Sequence, residues 1–126
     1  MALQSPSVTG KALNYHQIEE EMIRLMKVQE ELVERLAFLA SESAEAEANF
    51  KSVFHVSRYN ARMSTDHGKV TADMAEDVAT FESAEERKTY LAAQAKYDGT
   101  KQALLTARSN LESMRSLMAS YREIGG

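Results

Sequence analysis

Between Tyr90 and Tyr121 the apolar and small residues fall at Tyr90, Ala93, Tyr97, Thr100, Leu104, Ala107, Leu111, Met114, Met118 and Tyr121, alternating steps of three and four without a break. A strand repeats every second residue, so only the a/d seam of a helix lying lengthwise on other helices sustains this register. At 1.5 Å per residue such a helix reaches roughly 50 Å, and its seam requires a second long helix as cover. The sequence supplies one. Ile18, Met22, Leu25, Gln29, Leu32, Leu36, Leu39, Ser43, Ala46, Phe50 and Val53 step by fours and threes, which predicts a first helix from near Lys11–Asn14 to about Met63.

The segment between them is short. Thr65-Asp66-His67-Gly68 is the one clear break, with Gly68 suited to positive φ. Thr71 can cap a second helix, Asp73 and Glu76 suit its positive end, and Val70, Met74, Val78 and Phe81 form its apolar stripe. Ser83-Ala84-Glu85-Glu86 has capping-box spacing and predicts a restart. The third helix is expected from about Ala84 to Arg122, after a kink or brief break, with Glu123 to Gly126 frayed. Residues 1–10 are small and polar and read as a flexible arm, leaving residues 11–126 as a single helical domain. The fold expected is all-α, a long antiparallel helical hairpin whose two long helices are joined by a short helix and turn.

Charge is segregated along the chain. Residues 1–50 carry four Lys/Arg and nine Asp/Glu, residues 51–71 four and one, residues 72–86 none and six, and residues 87–126 seven and three. An antiparallel hairpin sets each acidic block beside a basic one, which favours that orientation, although surface pairs contribute only about 0–1 kcal/mol each. Two helices share their seam along a line, and Val28, Val33, Phe38, Phe54, Leu105 and Leu117 stay outside it. Stripes of this length mark an interface, so self-association is expected through coiled-coil-like seams. The residues assigned to it are Tyr97, Leu104, Leu111, Met114, Met118 and Tyr121.

Several chemistries lack their residues. With no cysteine there is neither a disulfide nor a thiolate site, which fits a reducing cytoplasm. No signal-peptide pattern and no run of 18 apolar residues occurs, so no membrane partner is expected. His16, His55 and His67 stand in no metal-binding spacing, and Gly10, Gly68 and Gly99 form no phosphate-cradling loop. Neither a metal, a cofactor nor catalysis is expected.

One constellation carries chemistry. Lys51, His55, Arg58 and Arg62 step by four, three and four, making a cationic ridge at the end of the first helix, with Lys69 beyond the turn and Phe54 and Tyr59 beside it. Such a ridge can follow a phosphate backbone while an aromatic stacks on an unpaired base. It can equally pair with Asp73, Glu76 and Asp77 as a solvated helix face.

The ridge runs into Ala61-Arg62-Met63-Ser64-Thr65-Asp66-His67-Gly68. This segment resembles bacteriophage recombination mediators of the UvsY type, in which a long first helix ends in a Lys-Ala-Arg segment with a turn Gly six residues after the Arg. The layout from Ile18 to Arg122 is similar too. The family's Lys falls on Asn60 and its aromatic pair on Thr65 and Asp66, while Arg58 and Lys51 can supply the charge. The resemblance implies a non-enzymatic accessory protein of the host cytoplasm. It would bind single-stranded DNA at the Arg62 end, contact a RecA-type recombinase and a single-strand DNA-binding protein, and help load the former in place of the latter. The alternative is a phage structural or adaptor protein, or an inhibitor of a host protein, acting through protein contacts of its helices.

Overall fold

The computed structural model describes residues 13–64 and 68–125, and the expected arm at residues 1–10 and the turn residues Thr65, Asp66 and His67 lie outside them. Three helices follow in order: α1 (Tyr15–Met63), α2 (Ala72–Glu82) and α3 (Ala84–Gly125). No strand occurs among the described residues. Two long helices and one short one are what the periodicity predicts.

The starts of α1 and α2 have local causes. Asn14 caps α1 reciprocally: the Gln17 amide N–H donates to Asn14 Oδ1 (2.8 Å) and the Asn14 amide N–H to Gln17 Oε1 (3.0 Å). This is a capping box written with Asn and Gln, which satisfies two of the donors a helix start leaves unpaired. Thr71 caps α2 as expected, its Oγ1 accepting from the Met74 amide at 3.2 Å. Gly68 takes φ +81° in the connection, a conformation that costs glycine little.

Ser83 departs from the expected capping box. Its Oγ donates backward to the Ala79 carbonyl at 2.6 Å, and its own carbonyl accepts from the Arg87 amide at 2.9 Å. The hydrogen-bond ladder therefore continues through this residue, and the restart is a bend rather than a capped new helix. A second difference lies at the far end, where α3 remains helical through Glu123 and Ile124.

Two compact units divide the chain: the described residues up to Glu34 with Lys101 onward, and Arg35–Thr100. In the first, Leu13, Ile18 and Met118 form a buried cluster with Met22, Met114 and Tyr121 packed on it. Tyr121 OH donates to the Leu13 carbonyl. Leu111 lies further along α1, beside Met26, Gln29 and Val33, so the two segments run antiparallel. In the second unit Glu47 meets Tyr90 and Ser57 meets Glu82, again antiparallel.

Every position of the Tyr90–Tyr121 repeat is buried or half-buried, and every other α3 position between them is exposed. The six residues assigned to self-association belong to this set. Leu104 at 4%, Leu111 at 4% and Met118 at 6% exposure are covered within the single chain. Tyr97, Met114 and Tyr121 are half-covered there. All six therefore take part in packing within the single chain. What remains outside includes Val33, Phe38, Leu105 and Leu117, at 39–63% exposure.

α2 brings the largest correction. Its packed face is Ala75, Ala79 and the following Ser83, each fully buried, while Met74, Val78 and Phe81 of the expected stripe are 49%, 41% and 83% exposed. Small side chains let two backbones approach, and the bulky ones on the neighbouring arc are thereby left outside. The opposed charge blocks also form no interhelical ion pair among the described residues; of the four pairs present, three lie within α1 and one within α3.

Replacing Ile18, which is fully buried, by Ala is expected to cost about 2–5 kcal/mol. Ile23→Ala, at a site 53% exposed, should cost less than about 1 kcal/mol. Denaturant titration of both variants checks this, and equal losses would contradict the seam assignment.

Candidate nucleic-acid interface

The cationic ridge rises from the last four turns of α1, where the steps from Lys51 to Arg62 put successive side chains on one face. Lys51, His55, Arg58 and Arg62 are all exposed, as are Tyr59 at 62% and Lys69 beyond the turn.

Their neighbours divide them. Lys51 Nζ lies 3.3 Å from Glu47 Oε2 and is partly neutralised. Arg58 is held from two sides: its guanidinium carbon stands 5.9 Å from the Phe54 ring centroid, and Nη2 donates to His55 Nδ1 at 3.2 Å. A cation over an aromatic face is attracted by the ring quadrupole, which orients it without a counter-ion. His55 meets Phe54 edge-on at 5.6 Å. Arg62 and Lys69, seven residues apart in sequence, line one shallow groove with Ser64, Gly68 and Val70.

No carboxylate among the described residues lies within 4.0 Å of Arg58, Arg62 or Lys69. The expected pairing with Asp73, Glu76 and Asp77 is thus not formed. The structure gathers Arg58, His55 and the aromatic support into one cluster and Arg62 with Lys69 into a second. Tyr59 contributes to neither, projecting from the border of the ridge.

The support beneath was not read from the sequence. Phe50 and Phe54 pack at 6.2 Å, and Phe50 stacks on Tyr90 at 6.0 Å with 12° between the rings. The i, i+4 spacing of Phe50, Phe54 and Arg58 was the available signal for half of this chain of contacts. Its link to α3 depends on tertiary packing.

Among the described residues no group of three His, Asp or Glu is placed to hold a metal ion, and no helix is long and apolar enough to cross a membrane. What the fold and this site define is a class: an all-α chain with two long helices and a short one, presenting an aromatic-backed cationic ridge. Compared with family models, curated proteins and solved structures, the chain matches none of them.

Tyr90 reports on the ridge's base. Its phenol is raised from the ordinary value of 10.0, first by desolvation and then by the charge of Glu47 and the hydrogen bond to it. A raised folded value stabilises the fold below the unfolded value, and that contribution is lost as pH climbs through the folded one. Ultraviolet titration of Glu47→Gln should therefore show a lower Tyr90 midpoint, and an unchanged midpoint would refute the Glu47 contribution.

Proposed function

We propose that this chain is a non-enzymatic accessory protein that binds single-stranded DNA along the end of α1. The observation that carries the reading is three exposed cations, Arg58, Arg62 and Lys69, without a carboxylate partner among the described residues. Phosphates supply the missing counter-charge, and release of condensed ions drives the association. Tyr59, 62% exposed beside them, offers a face on which a base stacks. Single-stranded substrate is favoured over duplex because stacking requires an unpaired base.

The likeness of the Arg62–Gly68 segment to recombination mediators extends this to a role. The bound strand is handed to a RecA-type recombinase in exchange for a single-strand DNA-binding protein, and assembly of several copies multiplies the few cations each brings. A second reading, an adaptor acting through protein contacts alone, draws its support from the exposed apolar side chains of α2.

Fluorescence anisotropy with a labelled single-stranded oligonucleotide separates the two. Three phosphate contacts at a slope near −0.7 each predict that a fourfold rise in salt weakens binding by roughly tenfold to twentyfold. Arg58→Ala with Arg62→Ala should weaken it about tenfold or more, whereas Lys51→Ala, removing a cation already paired with Glu47, should change it about threefold at most. Unchanged affinity in the double variant would overturn the site, and no binding at low salt would favour the adaptor.

A further inference from the structure

We infer, resting on the single-stranded DNA reading, that Arg87 of α3 belongs to the same surface and that the strand crosses to it from the end of α1. From Arg58 toward the middle of α1 the next Lys or Arg is Lys51, and Glu47 already holds it at 3.3 Å. A strand bound by counter-charge gains little there and continues where a cation is open. Arg87 is exposed, and no carboxylate among the described residues lies within 4.0 Å of it.

Contacts within the Arg35–Thr100 unit set its place. The Arg87 amide donates to the carbonyl of buried Ser83 at 2.9 Å, and Tyr90 stacks on Phe50. Glu47 Oε2 accepts from Tyr90 OH at 3.3 Å and lies 3.3 Å from Lys51 Nζ, which joins this turn of α3 to the turn of α1 bearing Lys51. With Ser57 bonded to Glu82, the antiparallel register brings Arg87 level with Lys51. At about 100° per residue, Arg87 lies roughly 80° from the packed face of α3 through Ser83, Tyr90 and Ala93. Lys51, His55, Arg58 and Arg62 lie roughly 80–140° from the α1 face through Phe50 and Ser57, in the same rotational sense. Equal senses share a side when helices are antiparallel. Glu42 and Thr89, offset in the other sense, show the rule on the opposite side, where they line one groove. Asp73 and Glu76 of α2 share the ridge's side, roughly 60–120° from the Ala75–Ala79 face, and their charge opposes a path over α2. Asp98 limits the path about three turns further along α3. Between these carboxylates Arg87 is the open cation across the seam.

Anisotropy of a labelled single-stranded oligonucleotide, titrated with the full chain at several salt concentrations, tests the crossing. Arg87→Ala should weaken binding about threefold to tenfold and lower the salt slope by about 0.7, the loss of one phosphate contact. Arg87→Lys should restore most of both. Lys88→Ala removes the same charge from the next residue, which lines a groove with Leu39 and Glu42 on the opposite side, and should change affinity less than about twofold. Circular dichroism checks that each variant keeps its helicity. If Arg58→Ala with Arg62→Ala loses binding while Arg87→Ala alters neither affinity nor slope, the crossing is overturned and the α1 site stands. Equal losses from Arg87→Ala and Lys88→Ala would overturn it too, because net charge rather than position would then be felt. No binding by the unaltered chain at low salt would overturn the DNA reading itself, and the crossing with it.

Discussion

Each of the two units depends on the same kind of contact, the lengthwise packing of its part of the α3 seam on α1. Few residues are deeply buried, and the apolar ones on or just before the long helices, Leu13, Ile18, Leu25, Leu39, Leu104, Ala107, Leu111 and Met118, are strung along it. A line of knobs in holes gains less per residue than a globular core, because each side chain is enclosed on fewer sides. Continuity compensates. Every turn of α3 from Tyr90 to Tyr121 places a side chain against cover, so loss of one contact is felt locally while the rest of the ladder persists. Polar groups at the seam's margin are fastened to backbone or carboxylate, as with Tyr121 on Leu13 and Tyr90 on Glu47. Gln29 Oε1 is an exception, enclosed without a partner. Its place in an a-type slot suits specification of register better than stability.

α2 obeys a different rule. Its contact with α1 uses alanine and serine, where closeness of approach replaces side-chain volume. Such a surface buries little apolar area, and an 11-residue helix is marginal by itself. Three constraints hold it: the Thr71 cap, the Ser57–Glu82 hydrogen bond, and the backbone hydrogen bonds by which Ser83 joins Ala79 on one side to Arg87 on the other. Being joined almost without interruption to a long helix is what keeps this short one ordered.

How much of this was legible follows from which physics each feature uses. The seams were readable because a period near 3.5 over several turns has one structural meaning, and all eleven α1 positions and all ten α3 positions of the repeats are buried or half-buried. Thr71 and Gly68 were readable because caps and positive φ depend on local chemistry. The exposed face of α2 was not. Met74, Val78 and Phe81 form a proper amphipathic stripe, and hydropathy alone assigns the larger side chains to the core. Alanine packing reverses that assignment through backbone proximity, a property of two helices together. The ridge spacing was visible too, but whether its cations were neutralised turned on distances between elements.

Those distances raise the question of how unpaired cations persist without cost to the fold. Two of the three have a substitute for a carboxylate. Arg58 rests on the Phe54 ring, and Arg62 occupies the last turn of α1, where unsatisfied carbonyls give the helix end a partial negative charge. Ring quadrupole and helix dipole both stabilise a positive charge while leaving its outer hydrogen-bond donors open. A carboxylate would stabilise it more strongly and occupy those donors, as Glu47 does for Lys51. The end of α1 thus reconciles two demands that ordinarily oppose each other, since its cations are favourable in the folded chain and still unsatisfied toward an incoming anion.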